Sequence, residues 1–189
     1  FFAYQAAQVK PDTSFEKMIP LKHPYIVNMI EHQDDLANLG NSIRIAVAIK
    51  DGDIFSTEYM EALKKINDEV FFLPGVDRSN MRSLWTPNVR WTAVTEYGFD
   101  GGPVANQPSY VTEDQLEELR ENVLKSGEIG RLVANNFKSS IIEVPLQETY
   151  PNPENQSEQI RLDYGEFSRL LEAKIRDEFQ TDNISIHIV

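Results

Sequence analysis

A chain of 189 residues has room for one domain or two small ones, and by size scaling it buries roughly 70% of its unfolded surface on folding. With 41% hydrophobic, 10% aromatic and 25% charged residues it lies in the globular range and outside the disordered one. The 30 acidic against 18 basic residues give a net charge of -12, which repels a phosphate backbone and argues against nucleic acid as a partner; the absence of cysteine excludes disulfides and thiolate catalysis.

The opening FFAYQAAQVK has no initiator Met and no basic leader before a long apolar run, so it does not read as a signal peptide. In HPYIVNMIEHQDDLANLG, Pro24 stands near a helix start, Ile26, Met29 and Ile30 share one side, and Gly40 supplies a stop. IRIAVAIK alternates Ile43, Ile45, Val47 and Ile49 with Arg44, Ala46, Ala48 and Lys50, which predicts a first strand ended by the turn DGD. Ser56 caps a helix over about 56 to 72, with Met60, Leu63, Ile66 and Val70 at helical spacing and Pro74-Gly75 as its stop.

VDRSNMRSLWTP reads as a second strand with Met81, Leu84 and Trp85 toward the core, and EYGFDGGPVANQPSY as an excursion inside an insertion at about 88 to 131. Thr112 and Gln115 form a capping-box pattern ahead of a helix over 113 to 125, closed by Ser126-Gly127. SSIIEVPL is a third strand with Ile142, Val144 and Leu146 on one face, and QETYPNPENQSEQ is a polar loop. Asp163 and Glu166 open a helix to about 180 whose stripe is Phe167, Leu170, Leu171, Ile175 and Phe179, and ISIHIV is the last strand.

Set aside the insertion, and residues 43 to 189 run β-α-β then β-α-β. That order predicts an α+β, ferredoxin-like βαββαβ domain: a four-stranded antiparallel sheet with the helices at 56 to 72 and 163 to 180 on one face. Residues 1 to 42 form a separate leading segment with its own helix. No run approaches the ~20 apolar residues of a membrane helix.

Chemistry has few places to reside. There is no G-x-S-x-G elbow, P-loop or G-x-G-x-x-G turn, and His23, His32 and His187 lack the i, i+4 spacing of a zinc-binding helix. The carboxylates of EHQDD, Glu31, Asp34 and Asp35, lack the calcium-loop pattern and read as a solvated flank. No catalytic, cofactor or metal site is expected. One stretch invites a functional reading: Trp85, Trp91, Tyr97 and Phe99, with Gly98, Gly101 and Gly102 beside them, are candidates to line a groove for an apolar ligand. The competing reading is a satellite core beneath the insertion.

The segments SFEKMIPLKHPYI, LGNSIRIAVAIKDGDIFSTEYMEALKKINDEVFFLPGVDRSNMRSLWTPNVRW and SGEIGRLVANNFKSSIIEVPL resemble the first extracytoplasmic loop of bacterial exporters of the resistance-nodulation-division (RND) superfamily. The branch they resemble is that of the mycobacterial large membrane proteins and hopanoid transporters. The similarity is most specific in GNSIRIAVAIKDGDIF and PGVDRSNMRSLWTP, and weakest at 100 to 112 and 150 to 160.

The resemblance implies a porter domain facing the periplasm from the bacterial inner membrane, between the first two transmembrane helices. FFAY would be the exit of the first helix and ISIHIV the last strand before return to the membrane. Its partners would be the second periplasmic domain and the membrane helices of the same polypeptide, and its substrate a hydrophobic or lipid-like molecule. The proton-carrying acids of such exporters would lie in the membrane helices, so no carboxylate here inherits that role. The alternatives are a self-standing extracytoplasmic binding or sensor module of ferredoxin-like fold, and a hydrolase with paired carboxylates. Taken alone, the chain is expected to self-associate weakly through its N-terminal aromatics or through the stretch from 85 to 99.

Overall fold

The structure, a computed structural model, describes residues 23–31, 41–152, 155 and 157–189. The chain divides into two compact units, Phe1–Ala37 and Asn38–Val189. In the first, Pro24–Glu31 forms helix α1, whose opening at Pro24 fits the fixed φ that proline brings to a first helical turn. The expected stop at Gly40, and the aromatics Phe1, Phe2 and Tyr4, lie outside the described residues.

The second unit mixes helix and strand. Its central sheet has three antiparallel strands in the order β4-β1-β7: β1 is Ser42–Ile49, β4 Ser139–Pro145 and β7 Ile184–Ile188. Register follows the apolar alternation, with Ile45 opposite Ile142 and Ile188, and Val47 opposite Ser140 and Ile186. Two helices cover that face. Helix α2, Thr57–Phe72, starts at Ser56, whose hydroxyl accepts from Tyr59 N, and buries Met60, Leu63, Ile66 and Val70. Helix α4, Tyr164–Leu171, is capped by Asp163 and buries Phe167 and Leu171. Ile45 and Phe167 share one core, as the two-helices-on-one-face arrangement requires. The opposite face carries Arg44, Glu143 and His187 and stays partly open.

Helix α4 does not run on as a plain α-helix. A π-helical turn, Glu172–Arg176, carries it into a last turn, α5, at Asp177–Phe179; the π turn lies against α2 and β7, and its Ile175 is buried.

The expected second strand is corrected by the structure: residues 76 to 85 form turns, and the sheet has three laddered strands, not four. The reason is local. The Asp77 carboxylate accepts from Ser79 N and Asn80 Nδ2, and its carbonyl accepts from Asn80 N and Met81 N, so the backbone is taken up in a tight turn before it can extend. Two isolated bridges remain along the outer edge of β4, Val76 to Leu146 and Arg82 to Glu143. Met81 and Leu84 are buried there all the same.

The insertion is largely regular. Arg90–Thr95 (β2) and Gly98–Pro103 (β3) pair as a hairpin, and Glu113–Ser126 forms helix α3 with both arms of the Thr112/Gln115 capping box in place and Gly127 at φ 73 as its C-cap. Val89, Val104, Tyr110, Leu119 and Val123 tie this region into the same core as the sheet. The polar loop after β4 holds a short ribbon, Thr149–Pro151 (β5) against Gln159–Arg161 (β6).

Candidate functional site

The four candidate aromatics occupy three different environments. Trp85 packs against the core: its Nε1 donates to Met60 O at 3.2 Å, its ring meets Tyr110 edge-on at 5.6 Å, and Lys64 Nζ lies 5.7 Å from its centroid. Tyr110 is itself fully buried, its hydroxyl accepting from Asn106 N, and desolvation raises its pKa. Trp85 therefore packs on the edge of the one core that also holds the sheet, and not in a separate cluster beneath the insertion.

Trp91 is half-buried on the face of the hairpin turned to α3, where Lys125 Nζ sits 5.6 Å from its ring. It stands opposite Gly102, and two glycines make room for it. A Cβ at Gly101 would come within 2.6 Å of the Trp91 carbonyl oxygen, and one at Gly102 would meet the indole at 3.4 Å. The indole covers the strand where side chains are missing, an aromatic shielding of glycine.

Tyr97 and Phe99 are at the hairpin tip. Thr95 Oγ1 donates to Gly98 O and accepts from Tyr97 N, and Gly98 takes φ 123, so Glu96 and Tyr97 form the tight connection. Tyr97 is 98% exposed, Phe99 90% and Val94 80%. Val94 and Phe99 are register partners on the ribbon face away from Trp91. Large apolar side chains this exposed on adjacent positions mark a contact surface more often than a solvent surface. The acids Glu96 and Asp100 flank them, while Arg90 reaches back to Gly101 O.

Clefts among the described residues lie elsewhere. One, about 410 Å³, sits at the start of α3 between Phe55, Leu116 and the acids Glu113, Asp114 and Glu117, with Arg120 bonded to Asp53 at 2.9 Å and stacked 4.2 Å over Phe55. Its one guanidinium is spent on those neighbours. Another, about 610 Å³, opens between the end of α2 and β5 and includes Phe72, Arg78 and Tyr150. Sequence reasoning had no signal for it except the Pro74-Gly75 stop, because its walls come from segments some 70 residues apart.

Among the described residues no group of three or more His, Asp or Glu is arranged to hold a metal ion, and no helix is long and apolar enough to cross a membrane. His32, Asp34 and Asp35 lie outside the described residues. Comparison with known proteins returned no matching family model, no matching curated protein and no matching solved structure.

Proposed function

We propose that this chain is the first periplasmic porter domain of an RND-type exporter in a bacterial inner membrane, with a ferredoxin-like βαββαβ plan, forming part of the path of a hydrophobic or lipid-like substrate. The observation that carries the reading is the order across the sheet. Residues 76 to 82, β4, β1 and β7 lie side by side in that order, with α2 and α4 on one face. A split βαβ domain has this order, and the bridges at Val76 and Arg82 stand where its outermost strand would run, which supports the reading.

The hairpin tip supports the partner half of the proposal. A domain that leans on a second domain of the same polypeptide needs an apolar element that is unsatisfied on its own, and Val94, Tyr97 and Phe99 supply one.

The chain's lack of cysteine gives a direct test in the gene's whole product. With Ser109→Cys, an exposed position away from the hairpin tip, on a background free of other cysteines, a membrane-impermeant maleimide added to intact spheroplasts should label the protein, and deleting the gene should raise retention of a lipophilic dye in a proton-gradient-dependent way. Labelling only after lysis, or a whole product recovered free of membranes, would overturn the reading; the latter outcome is what a self-standing sensor module predicts.

A further inference from the structure

The cleft beyond α2 is built around an arginine held in place and, among the described residues, without an ion-pair partner. Arg78 Nε donates to Phe71 O at 2.8 Å, and its guanidinium carbon lies 5.7 Å from the centre of the Phe71 ring. That bond uses one of five N–H donors, and the terminal nitrogens have no partner among the described residues. Among the described residues the one other charged group on the lining is Asp77. The Asp77 carboxylate is directed into its own turn, one oxygen accepting from Ser79 N and the other from Asn80 Nδ2, and it forms no ion pair with Arg78. Among the described residues this guanidinium has no carboxylate partner, in a chain of net charge -12.

Beside it the wall is apolar. Phe72 is 72% exposed into the cleft, and Pro74 and Tyr150 continue that surface. The Gln147 carboxamide and the Ser79 hydroxyl, on the same lining, make no hydrogen bond among the described residues and offer neutral donors. A volume of about 610 Å³ falls within the range of small-molecule sites, roughly 300 to 1,000 Å³.

We propose that this cleft binds an anionic amphiphile, its carboxylate or phosphate on Arg78 and its apolar chain along Phe72 and Tyr150. Bidentate geometry makes arginine suited to either head group, and the aromatic wall requires an attached chain. The inference does not depend on the exporter reading, since it concerns this chain's own cleft.

The test is amide NMR of the purified chain titrated with decanoate, decyl phosphate, inorganic phosphate and decyltrimethylammonium. Decanoate and decyl phosphate should give saturable shifts at Gly75, Ser79 and Gln147. Arg78→Gln should weaken both about tenfold or more, the loss of one charge-assisted hydrogen bond, and Phe72→Ala, at an exposed position that leaves the fold intact, should weaken both as well. Inorganic phosphate should not saturate. Saturation by inorganic phosphate alone, equal binding of the cation, no saturable shifts, or shifts centred on the hairpin would each overturn the proposal.

Discussion

The hydroxyl of Tyr59 on α2 lies 2.7 Å from Ser140 Oγ on β4, and it also accepts from Ser140 N at 2.8 Å and reaches Val47 O at 2.8 Å. Val47 and Ser140 are register partners, so one fully buried phenol bonds both strands of the β4–β1 pair from the helix above them. Tyr59→Phe keeps the ring and removes these bonds. It should cost about 1–3 kcal/mol in urea denaturation, the penalty for leaving buried polar groups unsatisfied.

The same phenol sets an alkaline limit. Burial raises its pKa well above the ordinary value of 10.0, outweighing the bonds to Ser140 that lower it. The unfolded state then releases the proton first as pH rises, so fewer protons are bound unfolded than folded and stability falls with pH. The contribution is fully present below the unfolded value and is lost progressively above about pH 10. Tyr59→Phe should therefore flatten the decline above that pH; a parallel decline in both proteins would assign it to other groups.

Arg82 fastens the irregular edge of the sheet. It exchanges backbone bonds with Glu143 and pairs with Glu128 at 2.7 Å, where the Glu128 side chain is only 8% exposed and its Oε2 has no hydrogen-bond partner among the described residues. Arg82→Ala would strand that carboxylate. We expect a loss of about 2–3 kcal/mol, below the 3–5 of a fully buried pair because Arg82 retains solvent access. In the Glu128→Gln background the same change should cost clearly less, and a double-mutant cycle measures the difference.

What could be read in advance was periodic. Ile45, Val47 and Ile49 alternate, Met60, Leu63, Ile66 and Val70 keep helical spacing, and Thr112 with Gln115 spell their capping box, so β1, α2 and α3 followed from local rules. The failures came where a side chain competes with the backbone or where the partner is distant. Asp77 turned a strand-like run into turns, and the return strand GFDGGP hid its hairpin because Gly and Pro disfavour strands. The π turn at Glu172–Arg176 leaves the spacing from Leu171 to Ile175 to Phe179 at four residues each, so the apolar stripe alone did not reveal it. The candidate groove failed to assemble for a geometric reason. Trp91 and Phe99 sit on opposite faces of one ribbon, a fact of register that linear proximity conceals.

Stability measurements should separate the aromatics that spacing grouped together. Trp85→Ala removes core packing and the bond to Met60 O and should cost about 2–4 kcal/mol, somewhat less than a fully buried tryptophan. Tyr97→Ala and Phe99→Ala touch side chains in solvent and should stay within about 0.5 kcal/mol of the parent. A large loss at Phe99 would show that the tip is packed in solution.

The tip should reveal itself in association. Net charge of -12 keeps copies of the chain apart at low salt, while Val94, Tyr97 and Phe99 offer an apolar contact. Salt near 1 M shortens the screening length to about 3 Å and removes most of that repulsion without weakening the apolar term. Sedimentation at rising concentration should therefore show weak self-association that grows with salt, the reverse of a charge-paired interface. Phe99→Asp should abolish it without changing the unfolding midpoint, because the residue carries no packing in the single chain. Association that persists in Phe99→Asp, or that weakens as salt is added, would place the contact on another surface and leave the exposed hairpin without a role in it.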